Sequence, residues 1–191
     1  MVPNRGHPAR RRRRATLRRT ELGLSTAGGQ ASLETLLTEP DFALASFLLS
    51  VLGEGSFLAL LRFLAEHAPD PVTRAVCRLS SQDEARHVAF GVAHLQRHAR
   101  QDPTLHARLA AAVHRRHDAL QHTAGLNSEV FDALVLLAAG SFEVDAIRRG
   151  WGLVLGLVGE MDHGRRVRLG LLGFPPADAA ALSALHTRNF M

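Results

Sequence analysis

The chain has 191 residues, which suits a single domain with a hydrophobic core of its own. All 23 basic residues are arginine and eight of them lie among the first 20 residues, so residues 21–191 carry 15 arginines against 18 acids, a net charge of −3. The one cysteine, Cys77, excludes an intrachain disulfide and a four-cysteine zinc site, and it fits a reducing compartment.

Residues 1–30 include five consecutive arginines at 10–14 and a Gly-Gly pair, and they show no apolar periodicity. This composition predicts a disordered arm preceding a helical domain at residues 31–191. An arm that binds nucleic acid or anionic lipid is the alternative, but few aromatic residues and an acidic body argue against nucleic acid. Residues 21–40 lack the continuous apolar run of a signal peptide, so we predict a cytoplasmic protein.

The segment from Phe42 to His67 is apolar on nearly every face, and its first 20 residues hold one charge, Glu54, between Gly53 and Gly55. Its length would allow a membrane span. A carboxylate at the centre of such a span costs about 2.5–3.5 kcal/mol on insertion scales. A buried helix of a bundle explains the same run without that cost, so we favour the bundle over the membrane.

The stretch Ala68-Pro69-Asp70-Pro71 predicts a turn in which Asp70 caps a helix that runs from Pro71 to about Arg100. The face of this helix through Cys77, Ser80, Ser81, Glu84, His87 and Gly91 is small and polar. The face through Val72, Val76 and Leu79 is apolar. A polar face between apolar helix ends indicates a lined site rather than a solvated surface.

Four more helical regions are expected, and no strand candidate is found, so the fold class is all-α. Asp102-Pro103 opens an amphipathic helix to about His122, with leucine and valine inside and Arg108, Arg115 and Arg116 outside. A helix from 128 to 149 is expected to end at Gly150-Trp151-Gly152, followed by another to Gly173. A terminal helix spans about 177–189.

The positions of Glu54 and Glu84 in these helices predict that their carboxylates meet. Glu54 lies 14 residues before the turn at 68–71 and Glu84 lies 13 residues after it, so each is about 20 Å from the turn. His87 follows Glu84 by three residues and projects from the same helix face. Singly, each residue suits a structural role, but together they predict a metal site.

The motif Asp83-Glu84-Ala85-Arg86-His87 and the segment 42–100 around it resemble a helix pair of the ferritin-like di-iron carboxylate proteins. That resemblance implies an antiparallel ferritin-like helix bundle in which Glu54, Glu84 and His87 bind metal. It also implies that Asp83, which is not itself a metal ligand, orients a histidine that is one. Arg86 corresponds to the arginine that the family usually has between the Glu and the His of this motif. The metals implied are two irons, or iron with manganese.

Such bundles repeat the ligand set in a second helix pair, and Glu160-Met161-Asp162-His163 has the required spacing. It lacks the preceding aspartate, because Gly159 stands there. The glutamate paired with Glu160 would be Glu143 or Glu129. Glu143 lies about as far before the predicted break at Gly150-Trp151-Gly152 as Glu160 lies after it, whereas Glu129 precedes Glu160 by about the same number of residues as Glu54 precedes Glu84. The alternative is that residues 42–100 form the second helix pair of a bundle whose first helix pair is missing. The chain would then hold half of a metal site.

The resemblance implies oxidation of a small organic substrate with dioxygen or peroxide, in a chain that could act as a homodimer. With no tyrosine, a tyrosyl-radical generator is excluded, and one cysteine excludes a rubrerythrin-type electron-transfer domain. The alternative of a different class is a helical interaction protein with a degenerate or half site and no catalytic activity.

Overall fold

The computed structural model describes residues 33–120 and 128–185, except for the side chains of residues 128 and 129. All secondary structure in these ranges is helical, which confirms the all-α prediction. The predicted arm at residues 1–30 lies outside the described residues. A short helical stretch at 33–37 precedes the main helices, which are α1 (Phe42–Ser46), a π-helical segment π1 (Phe47–Glu54), α2 (Gly55–His67), α3 (Pro71–Ala99), α4 (Leu105–Leu120), α5 (Ser128–Ala139), α6 (Val144–Leu171) and α7 (Pro176–Ala184).

The first three elements form one continuous helix, Phe42–His67, because the residues at both junctions keep right-handed helical dihedrals. It is the one helix among the described residues that is long and apolar enough to cross a membrane. Half of the most apolar window of this central helix is buried within the chain.

Helix α3 runs antiparallel to this central helix, as the turn chemistry predicts. The Asp70 carboxylate accepts a hydrogen bond from the Thr73 amide at 2.8 Å, and Pro71 occupies the first helical turn. Gly91 lies against Ser50, where a Cβ would come within 2.9 Å of the Ser50 Cβ. The two helices therefore approach closely, one turn from Glu54.

The predicted apolar face of α3 does not pack inward. Val72, Val76 and Leu79 are exposed, whereas Cys77 and Gly91 on the polar face are buried. The central helix is so apolar that the small residues of α3 pack against it and bring Glu84 with them. The apolar face is left on the outside.

Helix α4 buries Leu105, Leu109, Val113 and Leu120, as its pattern predicts, but it begins two residues later than expected. The prediction that Arg116 lies outside is wrong, because its side chain is 3% exposed. Its guanidinium donates a hydrogen bond to the Thr35 hydroxyl of the preceding segment. Burial lowers the pKa of Arg116 to about 10.

The predicted helix break at Gly150-Trp151-Gly152 is also wrong. The break lies at Gly140, whose φ of +66° is a conformation that favours glycine, and α6 continues through Gly150 and Gly152. Gly150 serves packing: a Cβ there would lie 2.4 Å from the Val135 carbonyl oxygen of α5. Helices α5 and α6 therefore form an antiparallel hairpin that turns at residues 140–143.

Two clusters of buried residues form the core. One joins α1 and π1 to the C-terminal part of α3, to α4, to the end of α6 and to α7. The other joins α2 to α5 and the middle of α6. Glu54, the last residue of π1, lies on the central helix where one cluster gives way to the other.

Candidate metal centre

Glu54 is carried by the π-helical segment, whose wider turns disturb the regular backbone hydrogen bonds. The Arg168 Nε of α6 donates to the Val51 carbonyl oxygen at 2.7 Å, which supplies a donor within this segment. Gly55 makes room for that side chain, because a Cβ there would lie 2.4 Å from Arg168 Nε. Single π turns inside α-helices occur frequently at functional sites.

Sequence reasoning missed the part that Arg168 plays here. The glycines flanking Glu54 were the available signal, since a glycine in a buried helix indicates close approach by another group. The residue that would approach could not be read from the sequence, because it lies more than a hundred positions later. Burial lowers the pKa of Arg168 to about 10, with neighbouring Arg165 and Arg62 adding to the effect.

Glu54, Glu84 and His87 converge as the equal-depth prediction requires. His87 Nδ1 lies 3.3 Å from Glu84 Oε2 and 3.9 Å from Glu54 Oε1. One ligand atom from each of the three residues lies within 4.8 Å of the others. Within the described ranges, this is the group of His, Cys, Asp or Glu side chains whose spacing could hold a metal ion.

The carboxylate of Glu54 is the most enclosed of the three. Side-chain exposure rises from 20% at Glu54 to 30% at Glu84 and 60% at His87, so the group opens to solvent on the His87 side. Burial, followed by the like charge of Glu84, raises the pKa of Glu54, and a Ser50 hydrogen bond and His87 oppose the shift.

One oxygen of Glu54, Oε2, is buried and has no hydrogen-bond partner among the described residues. A buried polar atom without a partner is costly, and such an atom in a native site calls for an explanation. A cation between Glu54 and Glu84 would both bind this oxygen and relieve the repulsion between the two carboxylates. The residues present therefore fit a metal ion.

Asp83 and Arg86, on the outer side of α3, are paired with each other. Both are exposed, and the Asp83 carboxylate receives its hydrogen bond from the Arg86 guanidinium. An orienting role of Asp83 toward a histidine stays a prediction.

Glu143 and Glu160 of the second predicted set are not brought together. Glu143 is the N-cap residue of α6, and Glu160 lies 17 residues further along the same helix, about 25 Å away. Glu143, Glu160 and His163 are all exposed. The side chain of Glu129, in the first turn of α5, lies outside the described residues. The depth match between Glu143 and Glu160 assumed a break at Gly150, and the observed turn at 140–143 removes it.

Comparisons of the chain with protein families, with characterised proteins and with solved structures found no match. The convergence of Glu54, Glu84 and His87 is therefore the observation on which a function can be built.

Proposed function

We propose that the protein binds iron, or iron with manganese, through Glu54, Glu84 and His87. The convergence of these three ligand atoms within 4.8 Å carries the proposal. The unpartnered Glu54 Oε2 supports it, because a cation would supply the missing interaction. Carboxylate and imidazole ligands suit divalent iron and manganese.

We further propose that the chain is a ferritin-like non-haem protein that oxidises a small organic substrate in the cytoplasm. The metal would supply activation of dioxygen or peroxide. Glu54 and Glu84 would balance its positive charge, and His87 would add a neutral ligand. Buried Val51 and Leu52 precede Glu54 in the central helix and would keep water from the inner side, while the exposed His87 side would admit substrate.

A metal-free helical interaction protein is the second candidate. The specific observation in its favour is the number of large apolar side chains that are exposed on α3 and α6, among them Leu79, Phe90, Trp151 and Leu155. Exposed apolar patches mark interaction sites. A protein can bind a metal ion and also carry an interaction surface, so the exposed apolar side chains do not exclude the first proposal. The metal content of the protein distinguishes a metalloprotein from a protein that only mediates interactions.

The test is the number of metal atoms per chain after purification without chelator, followed by anaerobic addition of Fe(II) to the metal-free protein. Wild-type protein should retain iron or manganese after desalting, and Glu84→Gln should lose it. Glu66→Gln is the matched control, since Glu66 is an exposed helical glutamate that belongs to neither predicted ligand set. Wild-type protein that retains no more metal than Glu84→Gln would refute the proposal.

A further inference from the structure

A pocket of about 440 Å³ lies where the segment before α1 meets π1 and α4, and we call it the α4 pocket. Its volume falls within the range of small-molecule sites, which is about 300–1,000 Å³. Its apolar part is formed by Leu48 and Ala112, which are buried, together with Pro40. The polar side chains that line it are Thr35, Thr38, Glu39, Arg115 and Arg116, so none of its lining residues belongs to the candidate metal centre.

The wall of the α4 pocket carries an excess of positive charge. Its described lining residues include two arginines and one glutamate, and 2 − 1 gives a net charge of +1. Glu39 balances Arg115, because Arg115 Nη2 lies 3.4 Å from Glu39 Oε2. The hydrogen bond from Arg116 to the Thr35 hydroxyl brings no opposite charge to the guanidinium. A monoanion in the pocket would therefore match the charge of its wall.

Arg116 is held in this wall by the core. Its side chain is 3% exposed and extends from the face of α4 that also carries buried Val113 and Leu120. Its pKa of about 10 leaves the guanidinium cationic at neutral pH. Water screens a buried charge less than an exposed one, so Arg116 attracts an anion more strongly than a surface arginine does. The planar guanidinium also matches the two oxygens of a carboxylate in geometry.

The charge and the apolar surface together restrict the occupant. Residues 1–20 contain eight arginines and no acidic residue, so this segment has the same sign of charge as the wall and does not suit the pocket. An inorganic anion would use the charged wall but would leave Leu48 and Ala112 without a contact. A molecule with one carboxylate and a short apolar tail uses both parts.

We propose that the α4 pocket binds a small organic monocarboxylate. The carboxylate lies against Arg116, and the tail lies over Leu48 and Ala112. This site is separate from the Glu54, Glu84 and His87 group and does not depend on metal binding.

Isothermal titration calorimetry of the full metal-free chain with octanoate, 1-octanol and inorganic phosphate tests the proposal. Octanoate should bind once per chain, and about tenfold or more tightly than 1-octanol, which has the same tail without the charge, or phosphate, which has no tail. Arg116→Met should weaken octanoate binding about 10- to 100-fold, since it removes a charged hydrogen-bond donor. Arg165→Met is the matched control, because Arg165 is also 3% exposed but lies on α6 outside the pocket.

Glu39→Gln tests the charge of the wall without removing a buried arginine. The substitution raises the net charge of the lining residues from +1 to +2 and keeps an oxygen that can accept the hydrogen bond of the Asp41 amide. It should tighten octanoate binding about 3- to 10-fold, whereas Glu66→Gln, at an exposed position on α2, should leave it unchanged.

The proposal would be overturned if octanoate did not bind, or if 1-octanol or phosphate bound as tightly as octanoate. Octanoate binding that Glu39→Gln leaves unchanged or weakens would also overturn it, even if Arg116→Met did not fold.

Discussion

At the scale of single residues, Glu54 combines burial, a like-charged neighbour and an oxygen without a partner. Its meeting with Glu84 and His87 followed from counting residues on both sides of a turn, because helical rise is nearly constant. The burial of Arg116 is consistent with its spacing, because it follows Val113 by three residues and precedes Leu120 by four on the buried face of α4. Its charge argued for an exposed position, and the Thr35 hydroxyl that satisfies it lies in a separate segment that the spacing could not identify.

The raised pKa of Glu54 predicts how the metal-free protein responds to pH. The folded state holds the proton of this carboxyl more tightly than the unfolded state does, so stability falls as pH rises from the ordinary value of 4.5 through the folded value. Glu54→Gln should remove that loss, and it should raise the melting temperature of metal-free protein at pH 7 by a few degrees while abolishing metal binding.

Thermal melting of metal-free wild type and Glu54→Gln between pH 4 and pH 8 measures the effect. Glu66→Gln is the control, since Glu66 is an exposed glutamate on α2. The prediction would be contradicted if the difference in melting temperature between wild type and Glu54→Gln did not change with pH.

His87→Ala should abolish metal binding, because it removes the imidazole that lies nearest to both carboxylates. His163→Ala should reduce it only modestly, since His163 is exposed and belongs to no convergent group among the described residues. Iron per chain after desalting compares the two variants. Equal and complete loss in both, with two metals bound per wild-type chain, would instead establish a full site within one chain.

At the scale of helices, glycine was the least reliable guide. The interior glycines of α6 predicted a break because each costs about 1 kcal/mol relative to alanine. The helix nevertheless continues, since packing of α6 against its neighbours outweighs that cost, and Gly150 itself permits the close contact with α5. The true end of α5 lies at Gly140, where a positive φ requires glycine. Proline-bounded turns were reliable, because proline and its cap residue act locally.

Gly91→Ala should destabilise the protein and weaken metal binding together. The new Cβ would lie 2.9 Å from the Ser50 Cβ, so α3 must move away from the central helix one turn from Glu54. Overpacking of this kind costs about 1–3 kcal/mol, which exceeds or cancels the gain in helix propensity. Gly156→Ala meets no atom within 4 Å and should instead stabilise the protein by up to about 1 kcal/mol.

Urea unfolding and Fe(II) titration of both glycine variants provide the measurement. Equal stabilisation by the two substitutions would show that α3 can separate from the central helix at no cost.

At the scale of the whole molecule, the all-α class and the pairing of the central helix with α3 could be predicted, but the outer face of α3 could not. An apolar face predicts burial without specifying the partner, and Val72, Val76 and Leu79 are 56–70% exposed among the described residues. The pairing of Glu143 with Glu160 failed for a related reason. Its placement depended on where one hairpin turns, and that turn lies about ten residues earlier than expected.

A chain that starts at Gln30 should keep the melting temperature of the full chain. Residues 1–30 have no apolar face that could be buried against the domain, whereas Thr35, which contacts Arg116, is retained. Differential scanning calorimetry of the two chains makes the comparison. A loss of several degrees would show that the arginine-rich arm packs on the helices.

The single cysteine and the single tryptophan lie in different halves of the molecule. Cys77 is buried on the inner face of α3, whereas Trp151 on α6 packs edge-on against Phe131 of α5 at 5.4 Å between ring centroids. Thiol labelling therefore reports the opening of one hairpin, and fluorescence, free of any tyrosine signal, reports the other. Because both probes are native residues, the cooperativity of unfolding can be measured without any substitution. Coincident transitions in thiol labelling and fluorescence would mean that the two hairpins open as one unit.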